Sequence, residues 1–292
     1  MGVLQNKVAV ITGSSRGLGL SIAQAFCREG AAVVITSRTQ KAVDAAVAAL
    51  QGQGYRAVGR AGDVASLAEV QALAELAMCE FGSLDIWVNN AGLGAPYGAT
   101  LGVAPERFEL VVRTNILGTY FGSRVALGQF TPRRAGKLIN LIGRGANQPV
   151  PLQNAYASSK AWVRSFTKTL AAEYKDSGVS VIAFNPGLVM TDMLNNMEAQ
   201  QGYKEKASPL EVITRMWANP PEFAAEKAVW LASSATDGKT GLEVSLLTPQ
   251  LLLAGGLREA WRRILRRPAP ASDLTIHEVP LATPDLIDPD EC

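Results

Sequence analysis

Short apolar runs alternate with longer amphipathic stretches along most of this 292-residue chain. Val8-Ala9-Val10-Ile11-Thr12 is β-branched without polar alternation, the pattern of a parallel strand covered on both faces. A Gly-rich turn follows it, Leu18 to Glu29 carries apolar residues at helical spacing, and Gly30 ends that helix. Ala32-Val33-Val34-Ile35-Thr36 reads as the next buried strand. The same alternation predicts helices over 42–50, 67–81, 105–129, 155–174 and 221–232, and strands over 56–59, 84–88, 137–142, 179–184 and 242–247. This order predicts an α/β fold, a single doubly wound (Rossmann-type) parallel sheet with helices on both faces.

No repeat or low-complexity linker divides the pattern, so residues 1–248 read as one domain and 249–292 as a C-terminal extension. Within the extension, Pro249 to Arg267 predicts a helix with an apolar stripe of Leu251, Leu252, Leu257, Trp261 and Leu265, made basic by Arg258, Arg262, Arg263, Arg266 and Arg267. A Pro-rich, acidic tail runs on to Cys292. A basic amphipathic helix can lie on a membrane surface. Packing on its own domain or on a partner subunit is favoured instead, because Gly255-Gly256 interrupts a short stripe.

With 28 Lys plus Arg against 26 Asp plus Glu, the net charge is +2, which argues against binding nucleic acid or anionic membranes by bulk charge. At 48% hydrophobic and 18% charged residues, the chain can fill a core. Three cysteines, Cys27, Cys79 and Cys292, form neither a disulfide framework nor a metal-ligand spacing. No leader or membrane-span pattern is visible, so a cytoplasmic protein is expected.

Chemistry enters at Thr12-Gly13-Ser14-Ser15-Arg16-Gly17-Leu18-Gly19, between the first strand and the first helix. Backbone amides there can face a phosphate: Gly13 permits the turn, Gly17 lets the backbone approach, and Gly19 lets helix pack on strand. The first domain is therefore read as dinucleotide-binding. At the end of the second strand stands Thr36-Ser37-Arg38, with no carboxylate to take a ribose 2′-hydroxyl. Arg38 and Arg16 offer forked donors to a 2′-phosphate, which favours NADP over NAD.

These residues resemble the classical short-chain dehydrogenase/reductase family. The resemblance spans about residues 5 to 248 and includes the Thr-Gly-x-x-x-Gly-x-Gly turn and Asp63-Val64. It continues through Asn89-Asn90-Ala91-Gly92, Asn115, Tyr156-Ala157-Ser158-Ser159-Lys160, and Pro186-Gly187 with Thr191. The resemblance implies that Tyr156 is the general acid/base, that Lys160 lowers its pKa and holds the nicotinamide ribose, and that Asn115 supports a water chain. It implies that Gly13, Ser15, Arg16, Gly17, Leu18 and Gly19 hold the pyrophosphate, Ser37 and Arg38 the ribose, and Asp63 and Val64 the adenine. Asn90, Ala91 and Gly92 would border the cofactor, and Pro186, Gly187, Val189 and Thr191 would cover its carboxamide. Homodimers or homotetramers are common in the family. The chemistry agrees: reducing a carbonyl builds charge on oxygen, so a proton donor must meet it, and a tyrosine needs a nearby cation to do so near neutral pH. His277, the only histidine, lies outside this domain, and no metal is expected.

One position departs from the family pattern. A serine thirteen residues before the tyrosine would hydrogen-bond the substrate oxygen, but Gly143 stands there, and no serine or threonine occurs from Leu138 to Ala157. Losing such a donor costs about 10²- to 10³-fold in rate. Asn147, Arg144 or a water beside Gly143 can replace it, the substrate can bring its own hydroxyl, or the site can bind cofactor with little turnover. The segment 192–220 occupies the place of the family's mobile substrate lid, and Met193, Leu194, Met197, Tyr203, Met216 and Trp217 there, with Met190 just before it, suit an apolar pocket. With Leu93, Pro96 and Tyr97, they point to a bulky apolar ketone or alcohol. Arg144 can instead meet an anionic substrate group. The expected function is NADP-dependent interconversion of a ketone and a secondary alcohol. The alternatives are an NADP-binding sensor or scaffold, and an NAD-dependent alcohol or diol dehydrogenase.

Overall fold

The computed structural model describes residues 2–269 and 274–282. In chain order, β1 (Val8–Ile11), α1 (Gly17–Arg28), β2 (Ala32–Ile35), α2 (Gln40–Gln51), β3 (Ala57–Gly59), α3 (Leu67–Phe81) and β4 (Ile86–Asn89) form the first half. There follow α4 (Pro105–Val112), one π-helical turn (Arg113–Leu117), α5 (Gly118–Arg133), β5 (Gly136–Leu141), α6 (Asn154–Glu173) and β6 (Val179–Asn185). Next come β7 (Leu188–Val189), α7 (Asp192–Asn195), β8 (Asn196–Gln200), α8 (Lys204–Ala207), α9 (Pro209–Trp217), β9 (Ala218–Asn219) and α10 (Pro221–Ala232). Then β10 (Leu242–Ser245), α11 (Pro249–Ile264) and β11 (Thr275–Val279) complete the described chain.

Seven parallel strands make the central sheet in the order β10-β6-β5-β4-β1-β2-β3. The unalternated apolar runs are explained by burial on both faces: all four residues of β1, of β2 and of β4 are buried. Ile22 and Phe26 of α1 pack with α10 residues Ala225 and Leu231 on one face, and Leu73, Phe130 and Leu170 of α3, α5 and α6 cover the other. Trp87 at the sheet centre is fully buried and donates its indole N–H to Asn89 Oδ1 at 2.8 Å. Truncating such a side chain to Ala typically costs about 3–5 kcal/mol. The order reverses between β1, which pairs with β2, and β4 on its other side. A crevice at the carboxyl ends of these strands is where this topology receives a ligand.

Two expectations need correction. The single helix expected over 105–129 is broken by the π turn, which carries Asn115. The apolar stripe of the C-terminal helix does not pack on its own domain: Leu257 (53% exposed) and Trp261 (60%) face outward, while Gly255 and Glu259 are the buried positions. A buried Cβ at position 255 would strike the Trp217 indole, so the helix approaches α9 through its smallest residue. The segment after α11 supplies β11, which pairs in parallel with β8 from Thr275↔Asn196 to Val279↔Gln200. The rest of the acidic tail, with Cys292, lies outside the described residues.

Candidate active site

A cleft of about 690 Å³ opens at the carboxyl ends of β1, β2, β4 and β5. At its phosphate end, Ser14 ties the turn together: its hydroxyl donates to Ile11 O at 2.6 Å and accepts from Thr36 N at 3.1 Å. Thr12 Oγ1 accepts from Asn90 N and Ala91 N, each at 3.0 Å, and Asn90 Nδ2 donates to Thr12 O at 2.8 Å. These bonds lock the two Gly-containing loops at the switch point together. A Cβ at Gly19 would strike Gly13 O and Asn90 Nδ2, so only glycine allows this contact. No side chain caps the N-terminus of α1, leaving its first amides directed to the cleft.

The turn residues Gly13, Ser15, Arg16, Gly17, Leu18 and Gly19 all line the cleft. So do Ser37, Arg38, Asp63 and Val64 beside β2 and β3, Asn90, Ala91 and Gly92 in the middle, and Pro186, Gly187, Val189 and Thr191 opposite. Glu69 Oε2 accepts from Asp63 N at 2.6 Å, so α3 anchors the loop that follows β3. Arg38 is exposed at the rim, and Arg16 Nη1 reaches Asp192 Oδ2 of α7 at 3.3 Å. This rim presents forked cationic donors and no carboxylate at the end of β2. Donor amides, absent side chains and cations together fit a dinucleotide.

Tyr156 and Lys160 lie one turn apart on α6 and face the cleft. Lys160 Nζ donates to Leu141 O at 3.0 Å and sits 5.7 Å from the Tyr156 ring centroid. Burial pushes the Lys160 ammonium down to about 8 and the Tyr156 hydroxyl up to about 12, because removal from water disfavours either charge. Asn115 is buried beneath them. Its Nδ2 donates to Ser159 Oγ at 2.9 Å and to Leu93 O at 3.0 Å, while its Oδ1 accepts from Leu93 N at 2.8 Å. The π turn makes this possible by releasing Asn115 from regular helical phase, a device frequent at functional sites. Ser159 was not singled out by its sequence context, and only the fold reveals that it joins α6 to Asn115.

Gly143 faces Tyr156 directly: a Cβ there would stand 2.8 Å from Tyr156 Oη. The missing side chain therefore leaves space that the tyrosine hydroxyl approaches. Arg144, Leu93 and Met193 line the cleft, as do Leu194 and Met197, but Asn147 is exposed outside it. Met190, Tyr203, Met216, Trp217, Pro96 and Tyr97 are likewise not in the lining. Tyr97 packs with Ala199 and Leu210 in a small core, and Trp217 turns to α11, donating to Leu252 O at 3.1 Å. Arg107, Gln153, Glu198, Leu210 and Thr214 also line the cleft, and sequence reasoning missed them. Neither periodicity nor spacing marks these residues, because α4, α6, β8 and α9 meet only in the fold.

His277 is exposed on β11 away from the cleft, and the described residues contain no group of three or more His, Cys, Asp or Glu placed to hold a metal. No described helix is long and apolar enough to cross a membrane. The family model described as short chain dehydrogenase matches residues 7–202. A 3beta-hydroxysteroid dehydrogenase from Eggerthella lenta is 36% identical over 240 residues, covering 82% of this chain and 91% of that protein. The structure of a 3-ketoacyl-(acyl-carrier-protein) reductase from Brucella melitensis, complexed with NADH, aligns with a TM-score of 0.73 and 31% identity over 83% of this chain and 97% of that one. The structure of an actinorhodin polyketide ketoreductase variant with NADPH aligns with a TM-score of 0.74 and 29% identity, over 84% and 97%.

Proposed function

The chain belongs to the short-chain dehydrogenase/reductase family of oxidoreductases, and on that premise we propose that it interconverts a ketone and a secondary alcohol using NADP. One observation carries the reading: Tyr156 Oη points to Gly143 in the cleft, with Lys160 Nζ fixed one helical turn away. The bound nicotinamide would supply or accept the hydride. The chain's own residues handle the proton. Tyr156, with its hydroxyl pushed up to about 12, is protonated across the neutral range and donates to the carbonyl oxygen as charge develops there. Lys160, cationic below about pH 8, stabilises the phenolate left behind. Asn115 acts through position, holding the Leu93 loop and Ser159 while Ser159 bonds Tyr156 O at 2.7 Å.

Arg38, Ser37 and the absence of a carboxylate after β2 support NADP over NAD. The substrate is a small-molecule carbonyl or alcohol. The half-exposed aromatic faces of α4 and α5, with Phe108 and Tyr120, support a homodimer or homotetramer. A cytoplasmic location and freedom from nucleic acid and membranes accompany this reading. A second reading, an NADP-binding sensor with little turnover, is favoured by Gly143 alone, since no hydroxyl stands there to meet the oxyanion.

The deciding experiment follows NADPH oxidation across bulky ketones and diketones with the native protein and Tyr156→Phe. Loss of about 10³-fold in turnover with NADPH binding retained is the expected result. Equal turnover by both proteins would refute the assignment of Tyr156, and tight NADPH binding without turnover of any ketone would favour the sensor.

A further inference from the structure

Charge inside the cleft is unevenly compensated. Its lining holds five cations and three carboxylates, and two of those carboxylates are already taken: Asp192 meets Arg16 at 3.3 Å and Glu198 meets Arg107 at 2.6 Å. The third, Asp63, lies with Arg38 beside β2 and β3, where its Oδ1 accepts from Ala65 N at 2.9 Å. Lys160 and Arg144 have no carboxylate partner among the described residues. Lys160, one turn from Tyr156 on α6, commits its ammonium to a neutral acceptor, Leu141 O, at 3.0 Å. Arg144 makes no ion pair or side-chain hydrogen bond within the described residues, and it is exposed where it lines the cleft, so its side chain is open to a ligand.

The distance of Arg144 from the chemistry follows from its neighbour. A Cβ at Gly143 would stand 2.8 Å from Tyr156 Oη. With consecutive Cα atoms about 3.8 Å apart, the Arg144 Cα lies no more than about 8 Å from the hydroxyl that would meet the substrate carbonyl. A charged group carried on the carbonyl carbon can then lie between the two, within the span of an arginine side chain. The polar side chains packed behind Tyr156 are committed inside the protein: Asn115 Nδ2 donates to Ser159 Oγ and Leu93 O, and Ser159 Oγ donates to Tyr156 O.

We propose that Arg144 is a specificity residue that binds a carboxylate attached to the reacting carbonyl carbon, so that the substrates are 2-oxo acids and the corresponding 2-hydroxy acids. The inference rests on the reductase reading above and narrows its substrate class. A guanidinium matches a planar carboxylate through two parallel N–H···O bonds. A phosphate group would bring about two negative charges to one free cation. In reduction the carbonyl carbon gains the hydride and its oxygen gains the Tyr156 proton, while the carboxylate only binds. Leu93, Met193 and Met197 in the same lining suit an apolar remainder of the molecule.

The test compares 2-oxo-4-phenylbutanoate, its ethyl ester and 4-phenylbutan-2-one, assayed with NADPH on the native protein, Arg144→Gln and Arg144→Lys. The native protein should favour the acid over the ester by about tenfold or more in kcat/KM, chiefly through KM, although the ester is the more electrophilic carbonyl. That preference should shrink as ionic strength rises. Arg144→Gln should erase or reverse it, and Arg144→Lys, which keeps the charge without the fork, should retain part of it. A native ratio near one, or a preference for the ester, overturns the proposal. So does equal slowing of all three substrates by Arg144→Gln, which is what a merely structural role would produce. If none of the three turns over, calorimetric binding of acid and ester to the NADPH-loaded protein separates the two failures. Acid selectivity that Arg144→Gln removes keeps the role of Arg144 while the reductase reading falls, and absent selectivity removes the proposal.

Discussion

The cleft has two ends built by different means. At the phosphate end, β1, the Gly-rich turn, α1 and β2 follow one another directly in the chain, and the bonds that shape it run between Ser14, Ile11 and Thr36. At the substrate end, β8 and α9 are held from outside by segments far along the chain. β11 pairs with β8, Arg258 Nη2 donates to Met216 O at 2.8 Å, and Arg215 bonds Glu259 across 44 residues at 3.1 Å. Glu259 gathers Arg262, Arg215 and Arg263 around one carboxylate and is held well below the usual carboxylate range, chiefly by the Arg262 hydrogen bond and then by Arg215. The first end is specified by local turn chemistry. The second depends on a C-terminal brace, so changes there should act on the ketone far more than on the dinucleotide.

The largest effect that would sharpen this contrast lies where the ends meet. Gly143→Ser does not simply restore a missing donor, because its Cβ would crowd Tyr156 Oη; displacing the tyrosine by even 1 Å should lower kcat by about 10²-fold. A gain in kcat would show instead that the tyrosine yields without loss and that the hydroxyl was the limiting absence. Next is Arg38→Asp, expected to weaken NADPH binding by about 10- to 100-fold while leaving the KM for ketone nearly as it was. Unchanged NADPH affinity in a direct titration would remove Arg38 from the 2′-phosphate.

A pH profile probes the junction more gently. Lys160 loses its proton at about 8 while Tyr156 keeps its own to about 12, so kcat/KM for reduction should fall as pH rises above 8, and Lys160→Arg, if active, should carry that limb upward. A native profile flat through this range would detach Lys160 from catalysis. The smallest effect belongs to the brace: Glu259→Gln should lower the thermal midpoint by a few degrees and raise the KM for ketone with NADPH affinity retained. Because the folded carboxylate is depressed, its stabilisation is present above the ordinary value near pH 4.3 and is lost as pH falls toward the folded value. The native protein's midpoint should therefore drop on acidification more than the variant's. Equal slopes would mean that the three arginines do not hold α11 through this group.

Most of the sheet was legible because buried parallel strands must be apolar on both faces and each is followed by an amphipathic helix. That the Gly-rich turn lines the cleft was legible for a related reason: close backbone approach demands glycine at set positions, a demand written locally. Tyr156 and Lys160 needed only one helical turn. Asn115 was found by motif, but its π turn was not, since nothing in Arg113-Thr114-Asn115-Ile116-Leu117 marks a change of helical phase. β8 reads Asn-Met-Glu-Ala-Gln and β11 Thr-Ile-His-Glu-Val, half-polar edge strands that no pattern joins across the intervening chain.

Local sequence thus determined the doubly wound sheet, the phosphate turn, the tyrosine–lysine pair and the vacancy at Gly143, because each follows from backbone stereochemistry or from neighbours within a few residues. Only tertiary structure decided that the apolar stripe of α11 faces outward, that its glutamate faces inward to three arginines, and that Arg107, Gln153 and Thr214 line the same cleft. Those placements arise from the packing of separate elements, where burial and charge pairing are settled between segments and leave no periodic trace in the chain.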